Sequence, residues 1–377
     1  MTAVILFFTR SIIIVFYTEL LIWFQTSGKI GCINTIKIST FEHKIVRSNT
    51  MVFEYAAGLG NRSLLDEFAT FLGSPCVNSS IKLPEKLGHG LIKGYRLGNS
   101  LKLMTHKTIL KEDLVLRRIA DRWEDHDIAL TFHWYLKRPG EENEAAGPKA
   151  SYEAPHVQIT SANIDYETVF KADCVNRAVI IVLHPKELVS WLGPASDGLH
   201  IQHLLPENAT YYYDEVLTSK MQEVATELID VAEPTGIRDL LLEVKSKELI
   251  YLVLSSLLKR KNQKAYPING SDVKSVYLVR DIIIADLAVR PNLSELATLA
   301  NMSGTKLSRL FRQIFGYSIY DYYLCMKVKQ AADLIRQKKF SVSEAGYSVG
   351  FTNLSHFSRI FERYLGMKPK KYSMTSG

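Results

Sequence analysis

The sequence predicts an α+β protein. Its first part is a strand-rich, β-barrel-like domain that gains helices toward its end, and its last part is all helix. Three observations predict this. Between about Gly88 and Leu183 apolar and polar residues alternate at the period of a strand. From Leu217 onward the apolar spacing becomes that of helices. Near the C-terminus one helical stretch then returns at an offset of 50 residues. Leu307-Ser308-Arg309-Leu310-Phe311 reappears as Phe357-Ser358-Arg359-Ile360-Phe361, and each copy runs on to a glycine five residues later, Gly316 or Gly366.

The length of 377 residues suffices for two or three domains and at least one large core. The net charge of +7 is uneven: from Val273 to the end there are 16 Lys and Arg against 7 Asp and Glu, which leaves −2 for everything before. A basic surplus confined to the repeat-bearing part favours a polyanionic partner for that part alone. The four cysteines (Cys32, Cys76, Cys174 and Cys325) are scattered without a CxxC pair. They suggest neither a disulfide framework nor a zinc site, and fit a reducing cytoplasm.

Residues 1–50 hold three apolar blocks, Val4 to Phe8, Ile12 to Phe16 and Leu20 to Phe24, interrupted by Arg10 and Glu19. A membrane-spanning helix needs about 20 apolar residues with few charges, and a signal peptide places its positive charge before the apolar run. Met51 opens a more ordinary sequence. Residues 1–50 are therefore expected to be an upstream extension with the true start at Met51, with an apolar membrane anchor as the alternative.

Within the strand-rich part, Leu101, Leu103, Thr105, Lys107 and Ile109 alternate with their neighbours. Ile128, Leu130, Phe132, Trp134 and Leu136 alternate with Ala129, Thr131, His133 and Tyr135, which predicts a half-buried strand. The run Val179 to Leu183 predicts a strand buried on both faces. Glu141 to Ser151 is polar and carries Gly and Pro, a loop. Leu217, Met221, Val224, Ala225 and Leu228 then mark one helix and Ile237 to Leu258 a second, with Leu240, Leu241, Val244, Tyr251, Leu254 and Leu258 on one stripe. From Leu249 on, this second helix is apolar nearly all round, which calls for burial against its own core or against a second copy of the chain. Residues 259–272 combine a charge cluster, Pro267 and Asn269-Gly270, a linker composition. The expected organisation is thus an extension over 1–50, a sensor and dimerisation domain over 51–258, a linker over 259–272, and a helical domain over 273–377.

In the helical domain, a helix from about Val273 to Val289 stops before Pro291. Ser294 can cap a short helix to Ala300. After Asn301-Met302-Ser303-Gly304 comes a helix to Phe315 ended by Gly316, a residue that takes the left-handed C-cap conformation at no steric cost. Ser341 to Ser348, Gly350, and Asn353 to Leu365 with Gly366 repeat the pattern. Short helix, turn and second helix make a helix-turn-helix unit, whose second helix enters the major groove. A long helix, Tyr317 to Gln337, joins the two units, with Tyr320, Leu324, Val328, Ala331, Ala332 and Ile335 on its buried stripe. Two such units meet successive grooves when they sit one DNA turn apart, about 34 Å.

Spacing of i, i+3, i+4 and i+7 assigns Leu307, Leu310, Phe311 and Ile314 to the core, with Phe357, Ile360, Phe361 and Tyr364 as their counterparts. The opposite faces offer Thr305, Lys306, Ser308, Arg309 and Arg312 in the first unit, and Leu354, Ser355, His356, Ser358, Arg359 and Arg363 in the second. Arginine pairs bidentately with guanine, so Arg309 and Arg359 lead as base readers. Leu354 either meets a thymine methyl or packs. Lys370, with Lys368 and Lys371, grips phosphate or forms a solvated tail. The polar face of the first unit suggests a sequence reader, and the second, blunted by Leu354 and Glu362, an anchor.

These residues carry a family resemblance. Leu307 to Phe311 with Gly316, then Val349-Gly350-Phe351, Ser355 to Arg359, Phe361, Gly366, Pro369 and Tyr372, resemble the DNA-binding domain of AraC/XylS-type transcription regulators over about a hundred residues. The resemblance implies a monomeric seven-helix domain holding two helix-turn-helix units. Ala345-Gly346 stands where an Ile-Ala pair is common, which implies looser packing of the second unit. Ser373 stands where an arginine often follows the final tyrosine. More weakly, Leu217 to Gln222, Leu240 to Lys245 and Glu248-Leu249 resemble the sensor half of regulators of the pyochelin regulator type. That resemblance implies a small β-barrel followed by helices that senses a small molecule and often dimerises, and it identifies no effector-binding residue.

Seven of the ten histidines (His106, His126, His133, His156, His184, His200 and His203) form no HxH with a following Glu, and no Ser/His/Asp set or glycine-rich phosphate loop stands out. No catalytic residue, metal ligand or cofactor is therefore assigned. The expected function is a cytoplasmic, sequence-specific DNA-binding transcription regulator, an activator controlled by a small-molecule effector of unknown identity. Its expected partners are double-stranded DNA, RNA polymerase, that effector and a second copy of the chain, and no membrane. The alternatives are an architectural DNA binder without effector, or a barrel enzyme fused to a DNA-binding module.

Overall fold

A computed structural model of the chain describes residues 50–56, 64–98, 101–120, 127–136, 155–192, 201, 204–205, 210–232, 235–260, 266–336 and 340–375, together with the backbone of four short strands before residue 50. The chain forms two compact units, Met1–Ser48 and Asn49–Gly377. In the first, β1 (Val4–Phe8) pairs antiparallel with β2 (Ser11–Val15), and β3 (Trp23–Thr26) with β4 (Lys29–Cys32). The expected nature of residues 1–50, extension or anchor, otherwise lies outside the described residues, as does the loop expected at Glu141 to Ser151. No helix among the described residues is long and apolar enough to cross a membrane.

The second unit begins with β5 (Met51–Ala56), α1 (Leu64–Leu72), β6 (Cys76–Val77), β7 (Ser80–Lys82), β8 (Gly88–Leu97), β9 (Leu101–Leu110) and β10 (Leu114–Ile119). It continues through β11 (Ile128–Leu136), β12 (His156–Ser161), β13 (Tyr166–Phe170), β14 (Val175–Leu183), α2 (Pro185–Leu192) and β15 (Tyr212–Val216). Eight strands form one sheet in the order β15-β12-β11-β14-β9-β8-β7-β6, and three form a second in the order β13-β10-β5. Every pairing is antiparallel except that of β5 with β10. A single bridge, Leu110 to Ala172, ties the sheets together. Phe53, Leu114, Leu116 and Phe170 of the small sheet share one core with Ile81, Ile92, Leu110 and Ala178 of the large sheet and with Phe68 and Leu72 of α1. The arrangement is barrel-like without closing, and a cavity of about 1090 Å³ lies between the sheets.

The other face of the large sheet packs on two helices, α3 (Ser219–Asp230) and α4 (Thr235–Leu258), through Leu101, Leu103, Leu130, Phe132, Val179 and Ile181. This double covering corrects two readings. The strand β11 is not half-buried: Thr131 and His133 are each only 3% exposed, so both faces are covered from Ile128 to Trp134. In β9 the buried residues change phase, from Leu101, Leu103 and Thr105 to His106, Thr108 and Leu110, as the strand passes from one core to the other. The strand β14 makes the same change at Ala178 and Val179, and its Ile180 and Val182 remain partly open because they line the cavity.

Thr218 caps α3, its hydroxyl accepting from the Met221 amide at 3.2 Å, and Met221, Val224, Ala225 and Leu228 are buried. The helix α4 is a correction. Leu249, Ile250, Val253, Leu254 and Leu257 are buried, but Ile237, Leu240, Val244 and Tyr251 are exposed. The exposed four fall together on the face opposite the buried five, so one side alone meets this chain's core. The short helix α2 carried no spacing signal that distinguished it.

Seven helices follow: α5 (Gly270–Ala285), α6 (Leu293–Leu299), α7 (Gly304–Phe315), α8 (Ile319–Arg336), α9 (Val342–Ser348), α10 (Leu354–Leu365) and α11 (Pro369–Thr375). Asn269 caps α5, accepting from the Asp272 amide at 2.8 Å, so the helix starts inside the expected linker. Asn292 rather than Ser294 caps α6, and Ser294 donates its amide to it at 3.0 Å. Leu324, Val328, Ala331, Ala332 and Ile335 of α8 are buried as expected, whereas Tyr320 is exposed beneath the guanidinium of Arg290.

The core between the two sheets holds two histidines that burial keeps neutral. Burial lowers His106 to about 3 and His133 to about 3 from the usual 6.5, His133 being further lowered by His156 and His106. Both pack on the Phe170 ring, at centroid distances of 5.0 Å and 4.9 Å. Between pH 6.5 and 3 the unfolded chain binds these protons and the folded chain does not, so stability falls as pH falls. The expected slope is about 1.4 kcal/mol per pH unit for each histidine. Urea midpoints between pH 7 and 4 check this: His106→Leu should show a slope shallower by one proton, and a slope unchanged in that variant would assign the acid sensitivity elsewhere.

Candidate nucleic-acid interface

Each helix-turn-helix unit is built by capping and by one left-handed residue in its turn. In the first, α6 ends at Ala300, Asn301 takes φ 52°, and the Ser303 hydroxyl caps α7 by accepting from the Lys306 amide at 3.2 Å. Gly304, expected in the turn, is instead the first residue of the helix. In the second, Ser341 and Glu344 form a reciprocal capping box on α9, Gly350 takes φ 77°, and Asn353 caps α10 by accepting from the His356 amide at 2.9 Å. The second turn is one residue longer, so the short helices repeat at 49 residues while α7 and α10 repeat at 50. Gly316 and Gly366 end α7 and α10 at φ 76° and 73°.

Burial matches the amphipathic assignment. Leu307, Leu310, Phe311 and Ile314 are at most 1% exposed, and Phe357 and Phe361 likewise, with Ile360 at 7% and Tyr364 partly buried. Gly346 does not leave a gap: a Cβ there would come within 3.0 Å of the Phe357 ring and 3.2 Å of Leu354, so α9 and α10 touch directly where a larger residue would part them. The two units share α8 as their support. Lys327 of α8, 4% exposed, donates from Nζ to the Tyr323 hydroxyl at 3.0 Å and to the Gly350 carbonyl at 3.1 Å, which fixes the second turn. Tyr364 of α10 donates to the Asp321 carbonyl of α8 at 3.0 Å.

The polar faces then fall as follows. In α7, Thr305, Arg309 and Arg312 are exposed and Lys306 and Ser308 are half-buried. In α10, Ser355, Arg359 and Arg363 are exposed, His356 and Ser358 are half-buried, and His356 lies edge-on to Phe351 at 5.8 Å. Leu354 is partly buried and packs against the helical core. Lys370 and Lys371 are exposed on α11, and Lys368 just before it. Helix N-termini with exposed hydroxyls and guanidinium groups can meet base edges and phosphates.

The sequence did not reveal how α7 is held. Arg260, 9% exposed, lies between β15 and the C-terminal end of α7. It pairs through Nε with Glu215 and donates to the carbonyls of Asp214 (2.8 Å), Gln313 (2.7 Å) and Ile314 (3.1 Å). Gly316 is required twice over, since a Cβ there would sit 3.0 Å from Arg260 Nε at a positive φ. The Gln313 amide exchanges two hydrogen bonds of 2.9 Å with the Tyr266 backbone. At the other end of α7, Lys306 Nζ bonds Asp272 at 2.7 Å, and the Arg309 guanidinium stands 4.3 Å over the Tyr266 ring. Tyr277 of α5 reaches the large sheet, accepting from Gln158 at 2.9 Å and from the Tyr212 hydroxyl at 3.0 Å while donating to the Asp214 carboxylate. These groups lie far apart in sequence, and no local pattern marks them.

Arg260→Ala would leave Glu215 and two helix-end carbonyls without their donor. The expected loss is about 3 kcal/mol, in the range for removing one partner of a buried pair. Urea unfolding checks it, and a loss below about 0.5 kcal/mol, the range of ordinary surface changes, would show that Arg260 is not a structural tie.

Comparison with known proteins places this part of the chain. Residues 296–374 match the family described as "Helix-turn-helix domain". The Msm operon regulatory protein of Streptococcus mutans is 25% identical over 188 residues, 48% of this chain and 66% of its own length. The HTH-type transcriptional regulator GbdR of Pseudomonas aeruginosa is 34% identical over 101 residues, 27% of this chain and 28% of its own. The arabinose operon regulatory protein of Salmonella typhimurium is 24% identical over 159 residues, 42% of this chain and 55% of its own. The chain thus spans between about a quarter and two thirds of the length of these relatives. Residues 296–374, which carry both reader helices, are a helix-turn-helix domain of the AraC type.

Proposed function

We propose that this protein is a cytoplasmic, sequence-specific DNA-binding regulator of transcription, an activator controlled by a small molecule held in its sheet-rich part. One observation carries the reading. Two reader helices of the same pattern, α7 and α10, sit on one basic domain with polar N-terminal faces and a shared supporting helix. Such a pair suits two contacts on one regular duplex. Thr305, Lys306, Ser308, Arg309 and Arg312 are the proposed readers of the first unit, and Leu354, Ser355, His356, Ser358 and Arg359 those of the second, with Lys370 on phosphate. An activator also needs RNA polymerase as a partner. The effector reading is supported by the cavity between the sheets and by the packing of Tyr277 and Arg260, which joins the wall of that region to the helical part. The relatives' names as operon and transcription regulators agree with it.

Selection of bound fragments from random duplex DNA, followed by footprinting on the best of them, tests the reading; binding without sequence preference would favour an architectural role instead. On a selected site, Arg309→Ala is expected to cost about 1–3 kcal/mol and to relax preference at one base pair, whereas Lys370→Ala should weaken all sequences alike. Equal losses on specific and random DNA for Arg309→Ala would remove it from the base readers.

The exposed stripe Ile237, Leu240, Val244 and Tyr251 on α4 is the proposed homodimer contact. These four residues are 53–66% exposed, an apolar row of the kind that helices bury against a partner. Val244→Glu should shift the sedimenting species from dimer to monomer at micromolar concentration. A wild type that sediments as a monomer throughout would exclude this contact.

A further inference from the structure

The cavity between the two sheets has a charge on its wall that no described residue balances. Arg118 of β10 is in register with Tyr166 of β13 on one side and with Tyr55 of β5 on the other, so the three side chains stand in one row across the small sheet. All three line the cavity, and Met104, Thr131, Ile180 and Val182 of the large sheet face it from across. Arg118 is 5% exposed. Its Nη2 donates to Thr160 Oγ1 at 2.9 Å and to the carbonyls of Ser161 (2.9 Å) and Ile164 (3.3 Å), and its guanidinium lies 5.4 Å from the centre of the Tyr166 ring. Its Nε has no hydrogen-bond partner, and among the described residues no carboxylate lies within ion-pair reach of it.

Arginine stays charged at any pH a protein survives, and taking a guanidinium out of water is strongly unfavourable unless an opposite charge meets it. The other buried arginine, Arg260, obeys that rule and pairs with Glu215. The buried Lys327, hydrogen-bonded only to the Tyr323 hydroxyl and the Gly350 carbonyl, is by contrast a lysine whose pKa burial lowers, a release that arginine lacks. Two further cations of the cavity wall, Lys102 and Arg238, pair with Asp127 (3.3 Å) and Asp239 (3.2 Å). Arg118 is bonded only to neutral oxygens, which fix its position without cancelling its charge.

We propose that the missing counter-charge belongs to the ligand: the cavity takes a small aromatic or apolar carboxylate, whose carboxylate group pairs with Arg118. This rests on the reading of the sheet-rich part as an effector-binding region and names the chemical class of the effector. The body of the ligand lies against Phe53, Phe68, Leu65 and Met104, and the volume of about 1090 Å³ suits a molecule of drug-like size. The anion also lands at one end of a hydrogen-bonded chain. Tyr166 accepts from Thr168 and donates to Gln158; Gln158 donates to Tyr277 of α5; Tyr277 donates to Asp214, whose carbonyl Arg260 holds. Arg118 stacks on the first member of that chain, so a ligand drawn to it acts on the contacts that seat α5 and α7.

The test is calorimetric titration of the full chain with 2-naphthoate and with its uncharged isostere 2-naphthamide. The wild type is expected to prefer the carboxylate by at least about tenfold, the worth of one charge-assisted pair. Arg118→Met should lose that preference, and Arg118→Lys, which keeps the charge without the planar fork, should retain part of it and show that the site still folds. Equal affinity for the two compounds, a preference that survives in Arg118→Met, or a wild type that binds none of 2-naphthoate, cinnamate and benzoate at millimolar concentration would each overturn the proposal. Gel shifts on the selected DNA separate it from the regulatory reading. Binding of the carboxylate that leaves DNA affinity unchanged supports the site while removing its effector role. A neutral compound that alters DNA affinity where no carboxylate binds overturns the site while keeping the regulator.

Discussion

The guanidinium of Arg260 sets how the sheet and the first reader helix stand to one another. Its Nε meets the Glu215 carboxylate, and its two terminal nitrogens meet carbonyls from β15 on one side and from the last turn of α7 on the other. The last carbonyls of a helix have no partner within the helix, and a cation there also faces the negative end of the helix dipole. Arg260 answers both needs while its own charge is met by Glu215. A lysine could supply the charge but not the planar fork that reaches three carbonyls and a carboxylate together. The Tyr213 ring lies 5.5 Å from the same guanidinium and closes it from solvent.

Around that tie the two parts of the second unit share a core. Ile164, Tyr166 and Tyr212 of the sheet region belong to the same buried cluster as Ile268, Val273, Val276 and the cores of both helix-turn-helix units. Beneath it, the large sheet serves two cores at once, helices on one face and the small sheet on the other, and this is why β9 and β14 change phase halfway. The cavity lies between the two sheets, and β14 there keeps Ile180 and Val182 partly open to it while burying Ile181 and Leu183 beneath the helices.

What was legible in the sequence was whatever is periodic and local. The 50-residue offset, the i, i+3, i+4, i+7 core of α7 and α10 and the two C-cap glycines all act within a few turns, and each stands where the spacing puts it. Boundaries shifted where two capping residues competed, as at Asn292 and Ser294, because the residue with the free extended backbone wins the cap. Strand alternation misled for β11, since a strand with Thr131 and His133 on one face looks half-polar until a second layer covers it. The helix α4 misled in the opposite sense: apolar residues all round do not say which of them meet this chain. Arg260, Tyr266, Asp272 and Tyr277, all at or near the expected linker, were invisible because their partners lie 34 to 119 residues away in sequence.

The two reader helices match in pattern and differ in setting, and the magnitudes decide what that difference does. Arg359 stands exposed, whereas Arg309 stacks on Tyr266 and Lys306 pairs with Asp272. An exposed cation–π contact is worth about 0.5–1 kcal/mol, and an ion pair with a lysine 42% exposed is worth about 0–1 kcal/mol. A bidentate arginine on guanine is worth about 1–3 kcal/mol of discrimination, and phosphate contacts add to it. The contacts at the N-terminal end of α7 are therefore weaker than the contacts DNA would offer the same side chains. They orient Lys306 and Arg309 without blocking them. The C-terminal end, held by Arg260 in a buried pair, is the stronger attachment, so the sheet region fixes the angle at which α7 stands and leaves its polar N-terminal face accessible. In α10 no comparable tie to the sheet exists among the described residues, and its position follows from α8 through Lys327, Asp321 and Tyr364. A change in the sheet region thus reaches the first reader directly and the second only through the helix between them.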